Sequence, residues 1–233
     1  TALSFLEEMK SLNLKPNEIS YNTLINKSPN FDTALSFLEE MKSLKLKPNE
    51  ISYSTLINKS PNFETALSFL EEMKSLNLKP NEISYNTLIN KSPNFDTALS
   101  FLEEMKSLKL KPNEISYSTL INKSPNFETA LSFLEEMKSL KLKPNIITYN
   151  TLLNKCKRQR FSPKSEQFEQ AILLLEDMMY LRLRPQYQRR DYTLRAVVGI
   201  MRRHREAFGT WYSQQYGLHR IWKEFFRYVA EDI

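Results

Sequence analysis

Residues 33–64 read TALSFLEEMKSLKLKPNEISYSTLINKSPNFE, and the chain writes this unit four times, with small changes, between Thr1 and Glu128. The opening TALSFLEEMK returns at Thr1, Thr33, Thr65, Thr97 and Thr129, a fixed period of 32 residues. The copying unit is twice as long, because residues 1–64 and 65–128 are identical. Within that pair only Asn13/Lys45, Asn22/Ser54 and Asp32/Glu64 differ. Identity this complete is the mark of recent duplication, of design, or of a stretch copied in the reported sequence. A fixed period in this range signals a solenoid, in which each unit buries its apolar face only against its neighbours.

Each unit reads as two helices. Pro48 and Asn49 precede a short segment, Ile51 to Lys59, with Ile51, Leu56 and Ile57 as candidate packing residues. Ser60-Pro61 stops it, since proline pushes the preceding residue out of helical geometry. The same dipeptide offers Ser60 as an N-cap and Pro61 as the first residue of the second helix. Glu64 falls in that helix's first turn, where the dipole favours negative charge. TALSFLEEMKSL then places Ala66, Leu67, Phe69, Leu70, Met73 and Leu76 at helical spacing and leaves Glu71, Glu72 and Lys74 for water. Pro80 closes the unit. No strand pattern occurs, so the fold class is all-α: a solenoid of helical hairpins.

Composition divides the chain. Residues 1–155 hold no Arg, Gly or Trp, and the only Cys is Cys156. Residues 1–145 sum to −1, whereas residues 146–233 carry 16 basic and 9 acidic side chains. Residues 1–145 therefore form the near-identical array, 146–186 a divergent last repeat with the insertion RQRFSPKSEQF, and 187–233 a basic, aromatic helical tail. One Cys excludes an internal disulfide and fits a reducing interior. No apolar run is long enough to span a membrane, so membrane insertion is not expected. His204 and His219 have no Cys or carboxylate at metal-ligand spacing, and Gly-rich phosphate loops are absent. The expectation is a non-enzyme without cofactor, metal or small-molecule substrate.

ISYNTLIN, a turn, and then TALSFLEEMKSLNLKPN resemble the pentatricopeptide repeat, whose pattern runs TYN-x-LI, A-L-x-L-F-x-E-M and a closing Pro-Asn or Pro-Asp. IITYNTLLNKCK from Ile146, followed by QAILLLEDMMYLRLRPQ ending at Gln186, is the nearest copy. The first helix is about one turn shorter than in that family, with NKSPNF in place of a Gly-containing bend. Tetratricopeptide repeats differ: their Trp-Leu-Gly pattern is absent.

The resemblance implies a right-handed superhelix that holds single-stranded RNA on its concave face, most often in mitochondria or chloroplasts. Here the expected location is mitochondrial. A targeting sequence is not visible, since the chain starts inside a repeat. The family reads a base with a side chain early in the first helix, paired with the residue that ends the repeat. These map onto Asn22, Ser54, Asn86, Ser118 and Asn150, and onto Asn49, Asn81, Asn113, Asn145 and Gln186. Short polar side chains suit an exposed Watson–Crick edge. By resemblance, Asn with Asn favours a pyrimidine and Ser with Asn favours adenine. Asn49 and its equivalents are also good N-caps, which accounts for them without RNA.

Glu39 and Glu40 lie on the second helix and Lys27 and Lys59 end the first, so first helices lining a concave face would make that face positive. In the tail, Arg189, Arg190, Arg202, Arg203 and Arg205 form a cluster suited to phosphate or an acidic partner. The aromatics beside them suit a cap over the last repeat. Three functions are consistent with these features: an organellar RNA-binding protein acting in RNA processing, stability or translation; a mitochondrial or plastid ribosome subunit whose tail meets rRNA or ribosomal proteins; and a tetratricopeptide-like protein scaffold. Replacing Arg202, Arg203 and Arg205 with Gln should weaken nucleic-acid association more than replacing any three repeat lysines. The difference should shrink at high salt, where counterion release no longer favours binding. Filter binding across a salt series measures both effects, and equal losses would contradict concentrated charge in the tail.

Overall fold

The computed structural model describes residues 2–158 together with Gln170, Leu173, Leu174 and Asp177. Among them are ten α-helices and no strand: α1 (Ala2–Ser11), α2 (Glu18–Lys27), α3 (Phe31–Ser43), α4 (Glu50–Lys59), α5 (Phe63–Ser75), α6 (Glu82–Lys91), α7 (Phe95–Ser107), α8 (Glu114–Lys123), α9 (Phe127–Ser139) and α10 (Ile146–Arg158). The chain divides into two compact units, residues 1–116 and 117–233, with the boundary inside α8. In the first unit α2 packs on α3, α4 on α5 and α6 on α7, and the short helices α2, α4 and α6 also stack on one another. In the second, α9 packs on α10. The solenoid of helical hairpins expected from the period is thus the fold.

Local chemistry sets each helix end. The Asn49 side chain accepts from the backbone N–H groups of Ile51 and Ser52 at 3.0 and 3.3 Å, capping α4 as its sequence position promised. The next start differs from expectation, because the N-cap of α5 is Asn62 rather than Ser60. Asn62 Oδ1 accepts the N–H of Thr65 at 2.9 Å. Ser60 instead ends α4, its hydroxyl donating back to the Leu56 carbonyl at 2.7 Å. Its extended ψ of 137° is what the following proline demands, so the chain needs two more residues before it can turn into a helix.

The C-termini of the long helices use left-handed residues. Lys45 has φ 58° and Asn77 φ 56°. Around Lys45 the N–H of Leu46 reaches the Met41 carbonyl and the N–H of Lys45 the Lys42 carbonyl, each at 3.0 Å, a Schellman motif without glycine. Leu46 folds back against the core beside fully buried Met41. The Asn13/Lys45 difference therefore falls at a position chosen for its backbone. Leu76, expected in the core, is the exposed C-cap of α5.

The core is built across repeats. Tyr21, Leu24, Ile25, Ala34, Leu38 and Met41 cluster with Leu56 of the next unit. Phe31 meets Phe69 edge-on at 5.9 Å between centroids, and Tyr53 lies 6.4 Å from the same ring. Edge-to-face pairs of this kind contribute beyond the area they bury.

Five tyrosines, Tyr21, Tyr53, Tyr85, Tyr117 and Tyr149, are fully buried. The Tyr53 hydroxyl donates to Glu72 Oε1 at 2.7 Å, and Lys42 of the preceding repeat donates to the same oxygen at 2.7 Å. The Lys42 ammonium also lies 5.8 Å from the Tyr53 ring centre. Tyr85 and Tyr117 bond Glu104 and Glu136 in the same way, each at 2.9 Å. Glu72 is therefore half-buried and bonded rather than left to water. Its own burial pushes its carboxyl up, but the hydrogen bonds from Lys42 and Tyr53 and the Lys42 charge outweigh this and leave it below the ordinary value. In the last repeat Asp177 replaces this Glu and is one methylene shorter. It still pairs with Lys138, while the buried Tyr149 hydroxyl has no hydrogen-bond partner among the described residues.

Tyr53→Phe should therefore cost about 1 kcal/mol, by removing a satisfied hydrogen bond. Tyr149→Phe, which removes a hydroxyl without a partner among the described residues, should be neutral or stabilising. Urea denaturation of the two variants decides this, and equal losses would refute the asymmetry. Burial also pushes Tyr21 and Tyr149 up to about 12, and burial together with Glu72, Glu104 and Glu136 raises Tyr53, Tyr85 and Tyr117 further. Above pH ~10 the unfolded chain releases phenolic protons that the folded chain keeps, so stability should be complete below that pH and fall above it. Circular-dichroism melts from pH 8 to about 12 should show Tm flat and then declining; a constant Tm throughout would contradict the linkage.

Candidate nucleic-acid interface

The first turn of each short helix presents one exposed apolar residue. Ile19 is 74% exposed, and Ile51, Ile83, Ile115 and Ile147 are exposed as well. This corrects the expectation that Ile51 packs inward: as the second helical residue it points away from the hairpin partner, and Tyr53 takes the buried face. Ile19 and Asn22 lie three residues apart, so they share a helix face, as do Ile51 and Ser54.

Asn22 is 8% exposed and Ser54 5%, whereas Asn86, Ser118 and Asn150 are half-buried. Their partners are polar. Asn22 Nδ2 donates to Asn49 Oδ1 at 3.2 Å, which joins the two expected readers of that repeat directly. Asn22 Oδ1 accepts from the Ser52 hydroxyl at 2.5 Å, and Asn86 Oδ1 accepts from Ser116. Ser54 meets the Ser84 hydroxyl at 3.1 Å, and Ser118 meets Thr148 at 3.1 Å. A hydroxyl three residues past each N-cap thus touches the reader of the repeat before.

The Asn22/Ser54 difference changes that hydroxyl's other bonds. Behind Asn22, Ser52 Oγ accepts the Asn49 N–H at 3.1 Å and completes a capping box. Behind Asn86, Ser116 does the same for Asn113 at 3.0 Å. Behind Ser54 the Ser84 hydroxyl faces Asn81 Oδ1 at 3.2 Å, much as Ser52 and Ser116 face Asn49 and Asn113 Oδ1 at 3.4 and 3.3 Å. It takes no bond from the Asn81 N–H, however, and the cap of α6 rests on the bond from Ser84 N to Asn81 Oδ1. Asn145 caps α10 likewise, accepting from Thr148 N at 3.0 Å. Ser52, Ser84, Ser116 and Thr148 are functional candidates that sequence reasoning misses. Their signal is a hydroxyl residue at the third helical position after an N-cap Asn, where a capping box places its partner.

Lys27 and Lys59 end the short helices α2 and α4, as expected. Lys59 donates to the Ser28 carbonyl at 2.8 Å, across the repeat boundary, and Lys155 to the Ser124 carbonyl at 2.5 Å. Both ammonium groups neutralise the negative end of the preceding short helix. Gln186, Arg189, Arg190, Arg202, Arg203 and Arg205 lie outside the described residues. Among the described residues no cluster of three His, Cys, Asp or Glu side chains gathers at metal-binding distance, and no helix is long and apolar enough to cross a membrane.

Stacked helical hairpins, each with a polar side chain bonded to a hydroxyl of the next, define a modular α-solenoid. A sequence profile of the pentatricopeptide repeat domain matches residues 4–63, 68–126 and 100–158. The chain belongs to the pentatricopeptide repeat family. No curated protein sequence matches it. The PPR domain of protein-only RNase P 1 from Arabidopsis thaliana, solved in complex with tRNA, is similar at TM-score 0.57 and 19% identity, over 67% of this chain and 89% of that one. PPR10 from maize is similar at TM-score 0.54 and 22% identity over 94% of this chain, which spans about a third of that protein (32%). The complex of PPR10 with an 18-nt psaJ RNA element gives TM-score 0.51 and 22% identity, covering 91% of this chain and 31% of that one.

Proposed function

We propose that this chain binds single-stranded RNA along its row of short helices, one nucleotide per repeat, without catalysing a reaction on it. The observation that carries the reading is the repeated unit: an exposed Ile beside a polar pair, Asn22–Ser52, Ser54–Ser84, Asn86–Ser116 and Ser118–Thr148. An unstacked base has an apolar face and a hydrogen-bonding edge, and the Ile and the pair meet one each. Pentatricopeptide repeats are among the modules that read one base per helical repeat. The RNA and tRNA complexes of the similar structures support the same reading for this fold. We place the protein in mitochondria on family grounds, where detection in purified organelles tests the assignment.

A second reading is favoured by the charge division between the −1 array, residues 1–145, and the basic remainder. In it the chain is a structural subunit of an organellar ribosome whose tail contacts rRNA. Salt-resistant co-sedimentation with ribosomal particles supports that role, and salt-sensitive binding to free RNA supports the first.

Converting Ser54 and Ser118 together to Asn tests the first reading. It should shift preference at two alternate nucleotides from adenine towards pyrimidine, by about 1–3 kcal/mol per site if these contacts resemble other base-edge readouts. Asn already occupies the equivalent sites at Asn22 and Asn86, so the folded array should accept the change. Affinities for RNAs differing only at those two nucleotides measure the shift. An unchanged ranking would reduce the alternation to drift.

A further inference from the structure

Base discrimination by an amide requires that its donor and acceptor stay in place. An Asn side chain carries two N–H hydrogens and two lone pairs on Oδ1. In Asn22 one lone pair is taken by the Ser52 hydroxyl at 2.5 Å and one hydrogen by Asn49 Oδ1 at 3.2 Å. One donor and one acceptor remain, in a fixed order. Flipping the amide would set its oxygen against Asn49 Oδ1, two acceptors facing each other. The Ser52 hydroxyl is itself oriented, because its oxygen accepts the Asn49 N–H at 3.1 Å and its hydrogen has Asn22 Oδ1 at 2.5 Å, far nearer than the alternative acceptor, Asn49 Oδ1 at 3.4 Å. Helix capping in one repeat thereby fixes the amide of the repeat before.

In the Ser-type repeats the two acceptors are nearly equidistant, and no bond from the cap N–H holds the hydroxyl. Ser84 has one hydroxyl hydrogen and two acceptors in reach, Ser54 Oγ at 3.1 Å and Asn81 Oδ1 at 3.2 Å. When that hydrogen goes to Ser54, Ser54 keeps its own hydrogen to give outward. When it goes to Asn81, Ser54 donates to Ser84 and offers only lone pairs. Thr148 stands in the same relation to Ser118, with Asn145 Oδ1 at 3.2 Å.

We propose that Ser52, Ser84, Ser116 and Thr148 are specificity-setting positioning residues, each fixing which hydrogen-bonding group the reader of the preceding repeat presents to a base. The inference rests on the RNA-reading function above and deepens it. These residues do not touch the base. They act through Asn22, Ser54, Asn86 and Ser118.

The test compares the Ser52→Ala/Ser116→Ala chain with wild type on short single-stranded RNAs that differ only at the two nucleotides opposite the Asn22 and Asn86 repeats. The Ala variant should lose about tenfold in the affinity ratio between best and worst base at those positions, the range one base-edge contact supplies. Its affinity for the worst base should hold within about twofold, since phosphate and stacking contacts carry no sequence information. Ser52→Thr/Ser116→Thr should keep the wild-type ratio, because Thr148 already fills this place in the array. Ser20→Ala is the stability control. Ser20 makes a capping box with Asn17, but no described short helix lies before it. It should lower Tm as one Ser→Ala change does and leave the ratio unchanged. If the Ala variant keeps the wild-type ratio, the positioning role is wrong and RNA reading stands. If wild type itself fails to distinguish the RNAs, base reading fails and this inference falls with it.

Discussion

A phenol buried among hydrocarbon gains from an acceptor, and the one that Tyr53 finds is shared. Glu72 takes a hydrogen bond from Tyr53 of its own hairpin and another from Lys42 of the hairpin before, both at 2.7 Å. One carboxylate thus holds the short helix to the long helix and one repeat to the next. Leaving any of the three groups unpaired at partial burial would cost more than the bond is worth when made. The node therefore specifies a register as well as adding stability. Lys74, Glu104 and Tyr85 repeat it one unit on, at 2.5 and 2.9 Å, so the same three side chains set the step at both of these junctions. The spacing of the polar pairs along the short helices inherits that step.

Much of this was legible in the sequence. The period identified a solenoid, the spacing of Ala66, Leu70 and Met73 marked the buried stripe of α5, and Asn49 before a short apolar segment announced a cap. The features that stayed hidden depend on the neighbouring repeat. Glu72 reads as a surface acid until a phenol and an ammonium from two other helices arrive beside it. Ile51 reads as core because it is large and apolar, yet Tyr53 fills the inward position. Ser60 before Pro61 matches a helix start, but Asn62 supplies the stronger acceptor where the chain has already turned. The candidate site shows the same division. The two members of the Asn22–Asn49 pair could be mapped by resemblance, whereas Ser52 became visible only when its hydroxyl was found between them.

The three differences between alternate repeats are not physically equivalent. Asn13 and Lys45 both occupy a left-handed C-terminal position with φ 54° and 58°, where the backbone requirement outweighs the side chain. Asp32 and Glu64 both put a carboxylate in the first turn of a long helix, the favourable end of its dipole. Each of these exchanges preserves the role. Asn22 and Ser54 do not: one offers an amide with two kinds of group, the other a single hydroxyl, and the cap of the following helix is wired differently behind each. A change that reaches into the next repeat's capping box has structural consequences of its own. Those consequences act on the same atoms that an RNA base would meet.

Charge limits how such an array can hold RNA. Nonspecific affinity for a polyanion comes from cations that release counterions, and residues 1–145 sum to −1. Some of the lysines present are already engaged: Lys42 and Lys74 with carboxylates, Lys59 with a helix-end carbonyl. Binding by the array then has to draw on short-range contacts, apolar against the base face and polar against its edge. A reader with little nonspecific attraction depends more on each correctly oriented hydrogen bond. In the reading proposed above, that places the demand for order on the hydroxyl between Asn22 and Asn49 and its counterparts, where the capping of one helix and the orientation of the preceding repeat's polar side chain are a single hydrogen-bond network.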